Sequence, residues 1–233
     1  MKSVHFLLAC VLLALASSLA SAYDPNPLQD FCVAINNTET GIFVNGKLCK
    51  DPTLATVDDF TYRRFNIPGD TNNQLGRNAT RLSVDTFPGV NTLGIILARI
   101  DYEPGGVNPP HFHPRASEIL HVQDGTLYVG FADSNYTLFS TILYPGDLFA
   151  IPLGMVHFQV NIGKTDAVAF ASFGSQDPGL VNVANAVFGT NPPIKPEPLA
   201  RAFMLDVNVV KDLQEKFLSS DLAKKHVAAC STY

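Results

Sequence analysis

The sequence predicts an all-β protein, a single barrel or sandwich domain followed by a C-terminal α-helical extension. Three observations carry this reading. Between about Asn91 and Phe173, short β-branched or aromatic runs alternate with turn residues. Of the 233 residues 46% are apolar and only 16% charged, which is ample for a core and gives no sign of disorder. Past a proline-rich stretch, Leu205, Val209, Val210, Leu213 and Phe217 recur at helical spacing.

The N-terminus reads as a secretory signal over residues 1–22, with Lys2, an apolar run from Phe6 to Ala16, and a small-residue site at Ala20-Ser21-Ala22. The apolar run is too short for the ~20 residues of a spanning helix, and no second such run follows. Secretion gives the cysteines a meaning. Cys10 leaves with the signal, and Cys32 and Cys49 bracket a short polar segment, so a disulfide between them is the natural pairing. Cys230 is then the odd one, either free or paired between chains. Sequons at Asn36, Asn78 and Asn135 fit the same compartment, and Asn78 is favoured because Thr71 to Arg81 is polar and looks exposed.

Residues 23–60 form an N-terminal extension, loop-like up to Pro52 because Pro25, Pro27, Gly41 and Gly46 interrupt any periodicity. The barrel is expected within residues 61–190. Its strand candidates are Leu93–Ile100, Glu118–Val122, Thr126–Phe131, Leu138–Leu143, Leu148–Ile151, His157–Asn161 and Ala167–Phe173. Asp124-Gly125 is a strong hairpin signal, and Pro145-Gly146-Asp147 marks another turn. Strands at this spacing suit a sandwich or a barrel, of which the jelly roll is one form. Residues 191–233 hold a stiff linker, with four prolines between Asn191 and Pro198, and then the amphipathic helix. That helix either covers its own barrel or clasps a neighbouring subunit.

The formal charge is -5 and the basic residues are scattered, which argues against nucleic-acid or polybasic membrane partners. The chemistry concentrates in two segments, Gly105 to Gly125 and Gly146 to Asn161. On a strand, residues i and i+2 share a face, so His111 and His113 can point at one ion. Pro109, Pro110 and Pro114 make this at best a short or edge piece of strand. Glu118 opens the next run, and His157 follows a Pro152-Leu153-Gly154 turn. Three imidazoles and a carboxylate suit a first-row transition metal. His121 lies on the opposite strand face from Glu118 by parity and reads as structural or exposed.

The spacing is Gly, five residues, His-x-His, four residues, Glu, six residues, Gly; then Gly, five residues, Pro-x-Gly, two residues, His, three residues, Asn. This resembles the paired motifs of the cupin superfamily at every fixed position. More narrowly, the chain resembles the plant germin-like proteins. The carrying segments are Gln29-Asp30-Phe31-Cys32-Val33, Asn91-Thr92-Leu93-Gly94, Asn108-Pro109-Pro110-His111, His113-Pro114-Arg115-Ala116, Val156-His157-Phe158-Gln159 and Leu205-Asp206-Val207-Asn208-Val209-Val210. The resemblance implies a single cupin jelly-roll barrel with manganese on His111, His113, Glu118 and His157. It also implies a Cys32–Cys49 disulfide, N-glycosylation, an apoplastic location and a homo-hexamer built as a trimer of dimers, with the C-terminal helices clasping subunits.

Four protein ligands on a six-coordinate ion leave open positions, and a divalent ion with one carboxylate stays net positive, which favours a small anionic substrate. The family is associated with superoxide dismutation and with oxalate oxidation. Members that oxidise oxalate carry two pocket asparagines. Asn108 matches one, whereas Ala98 stands at the other position. Sites built on such hydrogen bonds discriminate strongly, so the expectation is superoxide chemistry with a role in defence rather than oxalate oxidation. The alternative is a non-enzymatic cell-wall or receptor-like glycoprotein with a structural metal.

Overall fold

A computed structural model describes residues 32–36, 42–44 and 47–219. The signal segment, Cys10, Cys230 and the rest of the Asn36 sequon lie outside the described residues. The extension is not wholly loop-like. Strands β1 (Ala34–Ile35), β2 (Ile42–Val44) and β3 (Lys47–Cys49) make a small antiparallel sheet in the order β1-β3-β2. At two or three residues each, they are too short to show any alternation. Cys32 and Cys49 are joined by a disulfide, with Cα atoms 4.9 Å apart.

Ten strands then build two five-stranded sheets. They are β4 (Arg77–Arg81), β5 (Ile96–Tyr102), β6 (Val107–Phe112), β7 (Glu118–Asp124), β8 (Leu127–Ala132), β9 (Leu138–Leu143), β10 (Leu148–Ile151), β11 (Val156–Asn161), β12 (Ala167–Phe173) and β13 (Val181–Asn182). One sheet runs β10-β7-β12-β5-β4 and the other β13-β6-β11-β8-β9, with every pairing antiparallel. The core lies between them. Leu120 and Val122 from β7 and Leu127 and Val129 from β8 are fully buried with Ile100 and Tyr102 of β5. Along β12 the inward residues Ala167, Ala169 and Ala171 are small, which leaves interior space for longer polar side chains.

Three local readings change. The run expected from Leu93 begins at Ile96, because Gly94 adopts φ +70° in the preceding turn. The polar stretch ending at Arg81 is partly the edge strand β4, with Arg77 buried, since an edge position accepts alternating polar residues. The proline run is not all linker. A helix at Pro196–Phe203 starts inside it, with proline in its first turn, where the missing N–H costs nothing.

Naming the helices in order, α1 is Val183–Phe188, α2 is Pro196–Phe203 and α3 is Val207–Ser219. The last agrees with the expected amphipathic helix. Its Val210 is fully buried, and Gln214 donates to the Ile194 carbonyl at 2.7 Å. Phe188 packs on Phe203 and Phe217, with ring centres 5.5 and 6.1 Å away. The helices therefore pack chiefly on one another, and α1 ties them to β6 and β13.

Candidate metal centre

His111 lies near the end of β6, His113 just beyond it, Glu118 at the start of β7 and His157 in β11. The β6–β11 ladder pairs His111 with His157 directly. The ladder shifts between His157 and Gln159, so that Gln159 opposes Asn108. This bulge falls at Pro109-Pro110, where proline cannot donate to a ladder. It turns Asn108 and His111, three residues apart, toward the same interior. Parity alone would have put them on opposite faces.

The ligand atoms of His111, His113, Glu118 and His157 all lie within 4.8 Å of one another. All four side chains are buried, none above 5% exposed. His111 and His157 have ring centres 4.1 Å apart, and Glu118 Oε2 sits 3.1 Å from His157 Nε2 and 3.2 Å from His113 Nε2. Each ring is oriented from behind. Nδ1 of His111, His113 and His157 meets the carbonyl oxygen of Pro109, Gly179 and Met155 respectively. A carbonyl only accepts, so each Nδ1 carries the proton, and Nε2 is the nitrogen each ring can offer to a metal ion.

The electrostatics agree with a cation site. Burial, then the neighbouring His157, pushes the His111 imidazole down to about 3. Burial pushes the Glu118 carboxyl up, but His113 and His157 together outweigh it and hold the group at about 2. At neutral pH the cluster therefore presents neutral His111 beside a carboxylate. Three imidazoles and one carboxylate each offer a ligand atom within reach of a single ion. The donor set therefore fits a divalent transition metal.

A polar wall adjoins the centre. Asn108 donates to Gln159 Oε1 at 2.6 Å, and both residues are buried. Asn108 Oδ1, Gln159 Nε2 and the Tyr102 hydroxyl have no well-formed hydrogen bond. Sequence reasoning assigned Asn108 to the pocket but gave Gln159 no role, although its position two residues past His157 was the available signal. Ala98 faces the interior, 3% exposed. His121 lies on β7, half-buried and outside the cluster.

The sequons differ in setting. Asn36 is exposed. Asn78 sits half-buried on β4, and its amide donates to the Asp70 carbonyl at 2.8 Å. Asn135 is exposed in a turn beside Tyr136, which is 93% exposed. Asn135 is thus more accessible than the Asn78 that sequence reasoning favoured. Among the described residues no helix is long and apolar enough to cross a membrane.

The cupin family matches residues 64–211. A germin-like protein of Arabidopsis thaliana, subfamily 1 member 7, is 58% identical over 221 residues, covering 93% of this chain and 96% of its own. Subfamily 1 member 16 of the same plant is 56% identical over 220 residues, covering 93% and 99%. Among solved structures, a recombinant oxalate oxidase in complex with glycolate is 43% identical with a TM-score of 0.79, covering 83% of this chain and 98% of that one.

Proposed function

Since the chain belongs to the germin-like proteins of the cupin family, we propose that it is a secreted, manganese-binding glycoprotein of the plant apoplast that dismutates superoxide in defence. The observation that carries this is the buried trio of imidazoles with Nε2 turned toward one carboxylate. A bound manganese ion would supply the one-electron redox chemistry that converts two superoxide ions and two protons into dioxygen and hydrogen peroxide. His111, His113, Glu118 and His157 would hold it, and the three backbone carbonyls would fix the proton on Nδ1 and aim each ring. Asn108 and Gln159 would present polar groups to a small anion beside the ion. Oxalate oxidation is disfavoured because Ala98 offers no amide to a dicarboxylate.

The disulfide supports an oxidising, extracellular compartment. Exposed Phe203, Met204, Leu205 and Val209 support helices that clasp neighbouring copies, consistent with a hexamer assembled as a trimer of dimers. The glycans would sit at Asn36, Asn78 and Asn135. The near-complete burial of all four ligands favours a second reading, a non-enzymatic cell-wall or receptor-like glycoprotein whose metal is structural.

Manganese-loaded protein assayed with superoxide and, on the same sample, with oxalate decides between them. The proposed reading expects dismutation above that of free manganese, lost in the His111→Ala/Glu118→Ala variant, and no oxalate turnover. Absence of dismutation, with partner binding intact in that variant, establishes the non-enzymatic reading. Oxalate turnover would overturn the argument from Ala98.

A further inference from the structure

The segment between β12 and β13, residues 174–180, holds a metal ligand near one end and is tied to the disulfide through its middle. Gly179 gives its carbonyl to His113 Nδ1, and Arg115 binds the Asp177 carbonyl and carboxylate at 2.8 and 2.9 Å. Gly174 N donates to the Ser117 carbonyl, next to Glu118, at 3.2 Å. Three residues before Gly179, half-buried Gln176 reaches the turn that precedes β5. Its Nε2 donates to Asn91 Oδ1 at 3.2 Å, and its Oε1 accepts from Thr92 N. Fully buried Asn91 then donates through Nδ2 to Cys32 Sγ at 3.0 Å. A continuous run of contacts thus joins the Cys32–Cys49 bridge to the ring of His113.

Two features make this run sensitive to the bridge. Thr92 has φ +67°, a left-handed conformation that a β-branched side chain disfavours. Such a residue persists only where its surroundings over-determine it, and Gln176 is the side chain that holds its N–H. The second feature is the acceptor of the buried Asn91 amide, a sulfur whose position the bridge fixes. Lys50 N also holds the Val33 carbonyl at 2.8 Å, but that bond restrains only backbone. A bridged Cys32 Sγ cannot turn about its Cα–Cβ bond, whereas a thiol can. Asn91 has no access to water, so an amide that loses Sγ must shift to find another acceptor, and Gln176 and Thr92 shift with it.

We propose that Asn91 and Gln176 are positioning residues that make metal retention depend on the Cys32–Cys49 bridge. Closed, the bridge keeps Gly179 and the His113 ring in place; opened by a dithiol reductant, it lets the ring go and the centre loses affinity for metal. Cys49 is half-buried and Cys32 buried, so the reductant's thiolate attacks Cys49 Sγ. The S–S bond breaks, and Cys32 leaves with the electron pair and takes up a proton. The reductant's second thiol then displaces Cys49 as a thiol and closes its own disulfide, two electrons having passed to the protein. The proposal rests on the reading of His111, His113, Glu118 and His157 as metal ligands.

Chelator competition with manganese(II) tests it on the full chain, before and after the bridge is opened by a phosphine that is then removed under nitrogen. Reduction should weaken manganese binding roughly 10–100-fold, the usual cost of disturbing a partner behind a ligand. Gln176→Leu, which keeps the size but removes both bonds, should weaken it similarly with the bridge closed, and reduction should then cost nothing further. By linkage, manganese should shift the equilibrium between the bridge and a dithiol buffer toward the bridge, by the factor that reduction costs in affinity. Affinity unchanged on reduction, or lowered by the same factor in Gln176→Leu as in the unaltered chain, would overturn the proposal and leave the metal ligands as assigned. No manganese binding in either state would overturn both readings. Should reduction unfold the chain, Gln176→Leu with the bridge closed still decides, since unchanged affinity there overturns the proposal.

Discussion

At the scale of single residues, the most sensitive position around the centre is a glycine that donates nothing to it. Gly179 has φ +66°, and a Cβ there would lie 2.9 Å from Pro114 Cγ and 3.0 Å from Arg115 Nη2. Its carbonyl holds His113 Nδ1, and Arg115 fixes the same loop through the Asp177 carbonyl and carboxylate. Gly179→Ala should therefore shift the carbonyl and release the His113 ring while leaving the barrel intact. Partners of this kind typically cost roughly 10–100-fold in metal affinity when disturbed. A chelator-competition titration measures this, and unchanged affinity would show that the carbonyl does not orient the ligand. The four clustered residues were legible in the sequence because two short spacings and one parity rule bring them together. Gly179 was not, because its contact with His113 crosses 66 residues of chain and rests on a backbone atom.

At the scale of elements, strands that read as short apolar, β-branched or aromatic runs between turn residues were legible, and those whose pairing depends on distant partners were not. The runs Leu138–Leu143, Leu148–Ile151 and Ala167–Phe173 end where turn chemistry says they should. The edge strand β4 escaped because Arg-Asn-Ala-Thr-Arg shows no apolar face, and its inward side is set only by its ladder with β5. The bulge in β6 escaped likewise, since two prolines in a strand signal irregularity without giving its direction. The small N-terminal sheet is the element most dependent on a covalent tie. Cys32 and Cys49 are 17 residues apart, and buried Asn91 donates to Cys32 Sγ at 3.0 Å, which links the tie to the barrel. Replacing both cysteines with serine should cost about 3 kcal/mol, the chain-entropy value for a loop of this length. Guanidinium unfolding of the two proteins measures it, and a midpoint equal to that of the unaltered chain would place the extension outside the cooperative unit.

At the scale of the whole molecule, the buried centre couples folding to acidity, and the sign follows from which state binds more protons. Folded His111 titrates at about 3, against an ordinary value of 6.5. Folded Glu118 titrates at about 2, against 4.5. From 6.5 down to about 3 the unfolded chain takes up a proton on His111 that the folded chain refuses. From 4.5 down to about 2 the same holds for Glu118. Stability is therefore complete above about pH 6.5 and declines as the solution is acidified, by about 1.4 kcal/mol per pH unit for each group within its window. A bound metal steepens the decline, because protons compete for the same nitrogens and oxygens. Melting of the metal-free protein should hold level between pH 7 and 8 and fall steadily below about 6.5. His111→Asn, which has no imidazole to protonate, should remove the upper part of that fall and leave the lower part, due to Glu118, in place. A metal-free chain whose melting temperature stays flat from pH 7 to 5 would mean that burial does not keep His111 neutral, and the Nε2 lone pair offered to a metal ion would lose its physical basis.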